Sequence, residues 1–277
     1  MPTVLREDPV PGPIPRYELP GWREQHGVIA GVTGREFDLG LWTRAPVGEV
    51  MSRWRAFRRA EADFPVTILG NQVHGPAVVW HEGGQGWVQI DGVDGHATRA
   101  PGVLLTVTIA DCIPVYLLDP VQRVIALLHS GWRGTAAGIL SAGLQRMAEA
   151  AGTDAADVLM HTGVGICGAC YEVGSEVRTG CGLSAEGGGP WHVDLREVLA
   201  EQGRDAAGGA YGYLVNDRMI GGFAVLAYPA RYGVSGIMTF MVNHDGTVFQ
   251  KNLGRNTEVV AVKMRSYNPD ASWKKVD

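Results

Sequence analysis

The chain has 277 residues, 45% of them hydrophobic and 19% charged, with mean hydropathy near zero, which is enough for one large globular domain or a domain with an appendage. A net charge of −5 and a pI near 5.9 argue against a nucleic-acid or anionic-membrane binder, whose footprint is a basic excess. No run approaches the ~18 apolar residues of a membrane span, the first residues lack an export-signal pattern, and four cysteines do not make a disulfide scaffold, so a cytoplasmic location is expected.

Residues 1–26 are Pro-rich at their start and are expected to form an irregular arm. A short strand is expected at Val28–Val32. Val47–Ala62 carries Val50, Trp54 and Phe57 at helical spacing among charges and predicts an amphipathic helix. Strand signals then follow closely, at Val66–Leu69, Ala77–Trp80, Val103–Ile109, Val115–Leu118 and Val124–Leu128. Their β-branched, nearly uncharged character predicts strands buried on both faces. Thr135–Ala150 keeps Ile139, Leu140, Leu144 and Met147 on one face and predicts a helix stopped by Gly152. A strand is expected at Val158–Gly165, a loop at Gly180–Gly189, and a helix at Val193–Gln202 capped by Asp194. Ala206–Ala210 has the small-residue composition of a joint. Beyond it, strands are expected at Phe223–Tyr228, Ile237–Val242 and Thr247–Phe249, with a turn at Asn243–Gly246, and then a helix at Thr257–Arg265.

Three residues are placed where apolar runs break into Gly, Pro or Asp: His74 in Asn71–Gly75, Cys112 in Ala110–Pro114, and His129 in Leu128–Gly134. Two imidazoles and a thiol brought together make a ligand set for zinc or copper, with a position left open for substrate. They could equally make a nucleophilic pair, with Cys112 attacking and His129 or His74 as base. Asp111 could orient a ligand. Gly131-Trp132-Arg133-Gly134 ahead of a helix suits an anion, with Arg133 as the fork. The Cys167-Gly168-Ala169-Cys170 motif has no second pair, which argues against a structural zinc knuckle; a redox dithiol stays open, weakly supported because the motif does not start a helix in a clear βαβ unit. It reads as a pocket-lining loop with Cys170 or Tyr171 near substrate. His81, His96, His161 and His192 have no convergent neighbours in sequence and read as surface or packed histidines.

At these motifs the chain resembles the multicopper polyphenol oxidoreductase (laccase-domain) family, whose bacterial members are described as purine nucleoside phosphorylases. The matching pieces, in family order, are Gly31-Val32-Thr33, Gln72-Val73-His74-Gly75, Ala110-Asp111-Cys112-Ile113-Pro114, His129-Ser130-Gly131-Trp132-Arg133-Gly134, and Gly163–Cys167 leading into Cys170–Gly174. The resemblance covers about residues 27–204, within an expected domain of residues 27–205. It implies an α+β domain of layered mixed β-sheet with outer helices, a metal at His74, Cys112 and His129, zinc first and copper as the alternative, and Gln72, Asp111, Cys170 and Tyr171 at the substrate. It also implies small-molecule partners: phosphate with adenosine, inosine or methylthioadenosine, with adenosine deamination as an added activity.

The ending departs from that family. Its closing Arg-rich stretch is missing after Arg204, and residues from Met219 to Trp273 instead resemble an unrelated family of uncharacterised bacterial proteins. Residues 206–277 are therefore expected to be an atypical hairpin-plus-helix segment, joined near residues 204–212. Three other readings stand beside the phosphorylase: a copper-dependent phenol oxidase, a metal-free Cys-His thiol hydrolase, and an inactive fused variant. A four-copper oxidase is excluded, because it needs repeated His-x-His pairs and none occurs among the eight histidines.

Overall fold

The computed structural model describes residues 6–41, 43–206, 214–215, 218–219, 224–243, 247–264, 267, 269–270 and 272–276. The chain divides into two compact units, residues 5–203 and residues 204–277 together with 1–4.

In the larger unit, β1 (Asp8–Val10), β2 (Arg16–Glu18) and β3 (Gly31–Thr33) form an antiparallel sheet, with the short helix α1 (Trp22–His26) between β2 and β3. The expectation of an irregular arm is thereby corrected. Proline removes a backbone donor, yet Pro9 is tolerated because β1 is an edge strand. Helix α2 (Val47–Ala60) forms as its spacing predicts, burying Val50 and Trp54. Next come β4 (Val66–Asn71), β5 (Val78–His81), β6 (Gly86–Asp91), β7 (Gly95–Thr98), β8 (Val103–Thr106), β9 (Ile113–Asp119) and β10 (Val124–Ser130). Two helices follow, α3 (Trp132–Ala136) and α4 (Ile139–Ala151), then β11 (Leu159–Thr162), β12 (Glu172–Val173), α5 (Ser175–Gly180), β13 (Trp191–His192) and α6 (Leu195–Ala206).

Two sheets stack face to face. One is five-stranded in the order β11-β9-β10-β7-β5, the other three-stranded in the order β6-β4-β8. Pairing is mixed: β4 runs parallel to β6 and β8, and β5 parallel to β7, while β9 is antiparallel to both its neighbours. Side-chain alternation along β9 and β10 explains the stack. Ile113, Val115, Leu117, Val124, Ala126 and Leu128 pack with Ile139, Leu140 and Met147 of α4 and with Leu195, Val198 and Leu199 of α6. The alternate residues Ile125 and Leu127 pack with Val66, Ile68, Val103 and Leu105 of the second sheet, and Tyr116 and Leu118 with Leu19, Trp22 and Ala30. Trp54 of α2 covers Leu69 beyond that. The order is therefore helix, sheet, sheet, helix: an α+β fold of layered mixed sheet with outer helices. Each fully buried Leu, Ile or Met contributes about 1.5–3 kcal/mol.

The single helix expected at Thr135–Ala150 is broken in two. Gly138 has φ +80°, a left-handed conformation that glycine enters without a Cβ clash, and it separates α3 from α4. The strand expected at Val103–Ile109 ends at Thr106, and β10 runs through His129 and Ser130.

In the smaller unit, β14 (Leu214–Val215) pairs with β15 (Arg218–Met219). A second antiparallel sheet has the order β16 (Ala224–Ala227), β17 (Thr239–Asn243), β18 (Val248–Lys251) and β19 (Lys274–Lys275), with α7 (Thr257–Lys263) between the last two strands in sequence. Met241, Tyr267 and Trp273 form its core. The expected turn residues His244–Gly246, most of the joint at Ala206–Ala210, and Arg265 lie outside the described residues.

Candidate metal centre

Strand register brings the site together. Antiparallel pairing sets His129 of β10 opposite Pro114 of β9 and Leu128 opposite Gly95 of β7. The end of β10 therefore lies between Cys112, just before β9, and Asp94, just before β7. Cys112 thus leads into β9 and does not close the strand expected at Val103–Ile109, because that strand stops at Thr106. His74 comes from the loop after β4.

The three potential ligand atoms of His74, Cys112 and His129 all lie within 4.8 Å of one another. The two imidazole rings meet edge to face, 4.8 Å between centroids. Gly131 keeps the space beside Cys112 and His74 clear. A Cβ there would stand 2.7 Å from the Cys112 Sγ and 3.3 Å from His74 Cδ2. Soft thiolate and imidazole donors around a gap that one methyl group would fill suit zinc or copper.

Asp94 braces the cluster, and sequence reasoning missed it. It is fully buried, and one carboxylate oxygen accepts from His129 Nδ1–H at 2.8 Å and from the His74 backbone N–H at 2.9 Å. Its other oxygen accepts from the backbone N–H of Val73 at 2.9 Å and of Gly75 at 3.0 Å. This ring of successive amide groups explains how His74, a non-glycine residue, holds φ +61°, a conformation that costs on the order of 1–3 kcal/mol unless its surroundings enforce it. The bond to Nδ1 also fixes the His129 tautomer and leaves Nε2 as the free ligand atom. A signal did exist in the sequence, an acid directly before a β-strand. Separations of 20 and 35 residues from its partners hid its role.

Burial opposes a charge on His129, but the bond to Asp94 and the neighbouring Cys112 outweigh it, and the pKa rises to about 9. Asp94 is likewise desolvated, yet its bonds to His129 and the three amides hold its pKa below the usual value. His129 and Asp94 thus form a buried ion pair, beside a half-buried Cys112 and an exposed His74.

The other expected site residues are spread around this centre. Gln72 commits its amide to Thr108, donating from Nε2 to the backbone carbonyl at 2.8 Å and accepting from the backbone N–H at 2.7 Å, and so clips the two loops together. Asp111 has an exposed side chain, while its carbonyl accepts from Ile166 N–H at 2.9 Å. Arg133 is exposed and stacked 4.5 Å from the Trp132 ring centroid. Because α3 has only five residues, the guanidinium and not a helix dipole is what this turn offers an anion. Burial raises the Tyr171 pKa, with Cys181, Cys112 and Asp111 adding to the rise and Arg133 opposing it. Cys170 is exposed and lies against Cys167. His81 and His96 are buried as a pair, 3.0 Å apart, and His161 meets Glu7 at 3.2 Å. His192 is exposed.

Residues 23–207 match the family model described as multi-copper polyphenol oxidoreductase laccase, and residues 174–276 match one described as a protein of unknown function (DUF2950). A protein named purine nucleoside phosphorylase from Streptomyces coelicolor is 36% identical over 159 residues, which cover 57% of this chain and 65% of the relative. One of the same name from Streptomyces griseus is 39% identical over 134 residues, covering 48% and 54%. The chain thus spans less than two thirds of the length of these relatives. A protein named adenosine deaminase, from an unknown prokaryotic organism, is 39% identical over 89 residues, or 32% of this chain and 33% of the relative. The crystal structure of YlmD from Geobacillus stearothermophilus superposes with a TM-score of 0.61 at 25% identity, covering 72% of this chain and 84% of that one. Across two thirds of its length, this chain belongs to the multi-copper polyphenol oxidoreductase laccase family.

Proposed function

We propose that this chain is a cytoplasmic, zinc-dependent purine nucleoside phosphorylase acting on adenosine, inosine and methylthioadenosine. The observation that carries this reading is the convergence of His74, Cys112 and His129 on one gap, braced by a buried Asp94, within the segment shared with relatives named for that activity. His74, Cys112 and His129 would hold the metal, which when bound supplies positive charge to polarise a substrate oxygen. Arg133 binds phosphate, an exposed guanidinium held in place over Trp132. Tyr171 and Asp111 flank the purine and ribose. Phosphate then attacks the ribose C1′ as the purine leaves with the bonding electrons. Asp94 keeps the His129 ring oriented throughout.

Zinc-loaded chain incubated with phosphate and inosine or adenosine should release free base and ribose 1-phosphate. Release of neither, from protein shown to contain metal, would overturn the reading. Copper is the alternative metal, because Cu²⁺ outcompetes Zn²⁺ at nitrogen and sulfur ligands, and metal analysis of protein as purified decides between them. The relative named adenosine deaminase favours a second activity at the same centre, read as inosine formed from adenosine without phosphate. A metal-free thiol hydrolase would instead leave Cys112 equally open to iodoacetamide with and without zinc.

The match of residues 174–276 to a second family favours a joined C-terminal segment, residues 206–277, in place of the usual ending. A chain that binds zinc without turnover, and regains turnover when given a family-type ending, would support the inactive fused variant.

A further inference from the structure

Two thiols take no part in the metal centre. Cys167 and Cys170 are both exposed, and their sulfurs stand 2.7 Å apart across a tight turn between β11 and β12. In that turn Cys170 N–H and Tyr171 N–H both donate to the Cys167 carbonyl, at 2.9 and 3.0 Å. The turn is held at both ends. Ile166 N–H donates to Asp111 O at 2.9 Å and Val193 N–H to Tyr171 O at 3.2 Å. Gly168 is pressed against Asp194, where a Cβ would come within 2.7 Å of the Asp194 Cβ. The sulfurs therefore stay together without help from a bond between them.

The two thiols are also unequal. The hydrogen bond between the two thiols lowers the Cys167 pKa, aided by backbone N–H groups and by Arg196, whose guanidinium Asp194 grips at 3.1 and 3.0 Å. The same contact raises the pKa of Cys170. Neither remaining cysteine resembles them: Cys181 is buried with its pKa raised, and Cys112 faces the two histidines.

We propose that Cys167 and Cys170 are a redox-active dithiol that a low-molecular-weight disulfide closes to an intraloop bond, a modification site separate from the metal centre. The Cys167 thiolate attacks one sulfur of the external disulfide, forming a mixed disulfide and expelling one thiolate. Cys170 loses its proton and attacks the Cys167 Sγ, forming the Cys167–Cys170 bond and expelling the second thiolate. Two protein thiols are oxidised, one external disulfide is reduced to two thiols, and those thiols carry away both protons. Tyr171 is the next residue in the chain, so closure stiffens the backbone that presents its ring.

The test uses full-length, reduced, zinc-loaded chain incubated to equilibrium with excess oxidised glutathione, then alkylated with iodoacetamide and mapped by mass spectrometry. The tryptic fragment Met147–Arg178 contains these two cysteines and neither of the others. It should lose two hydrogens and both alkylation sites. C170S should stop at a stable glutathione adduct on Cys167, and circular dichroism should report an unchanged fold for this surface substitution. Full alkylation of both thiols, or a lasting glutathione adduct in the wild type with no intraloop bond, would overturn the proposal. None of these readouts depends on nucleoside turnover.

Discussion

At the scale of single residues, Asp94 determines the centre's behaviour. Its carboxylate satisfies three amides and one imidazole at once, so its removal strands several buried donors. Second-layer partners of this kind carry about 10–100-fold in metal affinity, and D94N should weaken zinc binding by that order in a competition titration with a chelator. A proton also competes with the metal. The His129 pKa is raised from 6.5 to about 9, so its charged form stabilises the metal-free fold most below pH 6.5, and that stabilisation is lost as pH climbs towards 9. A metal needs the neutral ring, so zinc affinity should rise with pH up to about 9. Calorimetry in buffers of different ionisation enthalpy should show proton uptake by buffer at pH 7.5, reduced in D94N. An affinity flat between pH 6 and 9 would refute the assignment of His129.

Among elements, what periodicity encodes was legible and what pairing decides was not. Val50, Trp54 and Phe57 announced α2, and the uncharged runs announced β4, β9 and β10, because one-sided or two-sided burial writes itself into spacing. Strands β6 and β7 carry polar and glycine residues, and pairing with stronger neighbours is what makes them strands. The residues that converge, His74, Cys112 and His129, were legible as three breaks in apolar runs. Their brace was not, because Asp94 acts through register between β7 and β10, a long-range property. The approach of β9 to β10 also makes Gly131 indispensable. G131A should lose zinc affinity at least as strongly as D94N while its melting temperature in the metal-free state moves little, since the residue fills no core. Unchanged zinc binding in G131A would mean that the gap beside Cys112 is not where the metal is held.

For the whole molecule, the two compact units have separate cores, one built on β9, β10 and α4 and the other on Met241, Tyr267 and Trp273. The His74, Cys112 and His129 cluster belongs wholly to residues 5–203. Zinc at a hundred times its Kd adds about 2.7 kcal/mol to whatever it binds. Scanning calorimetry with and without zinc should therefore raise the transition of the larger unit and leave that of residues 204–277 in place; one merged transition shifting as a whole would contradict this. Sequence motifs led to the expectation of a change of character near residues 204–212. They could not convey the helix–sheet–sheet–helix layering, which arises only when alternate side chains of β9 and β10 face different neighbours.

The left-handed turn at His74 has a consequence in time. With its amides already tied to Asp94, the loop does not have to fold around an arriving cation, so capture is limited by shedding water and a proton from the partners and not by a search through backbone conformations. Departure meets the same stiffness, since no loop swings away to open an exit. A metal bound at such a site should therefore exchange slowly, which the time course of zinc loss to excess chelator checks.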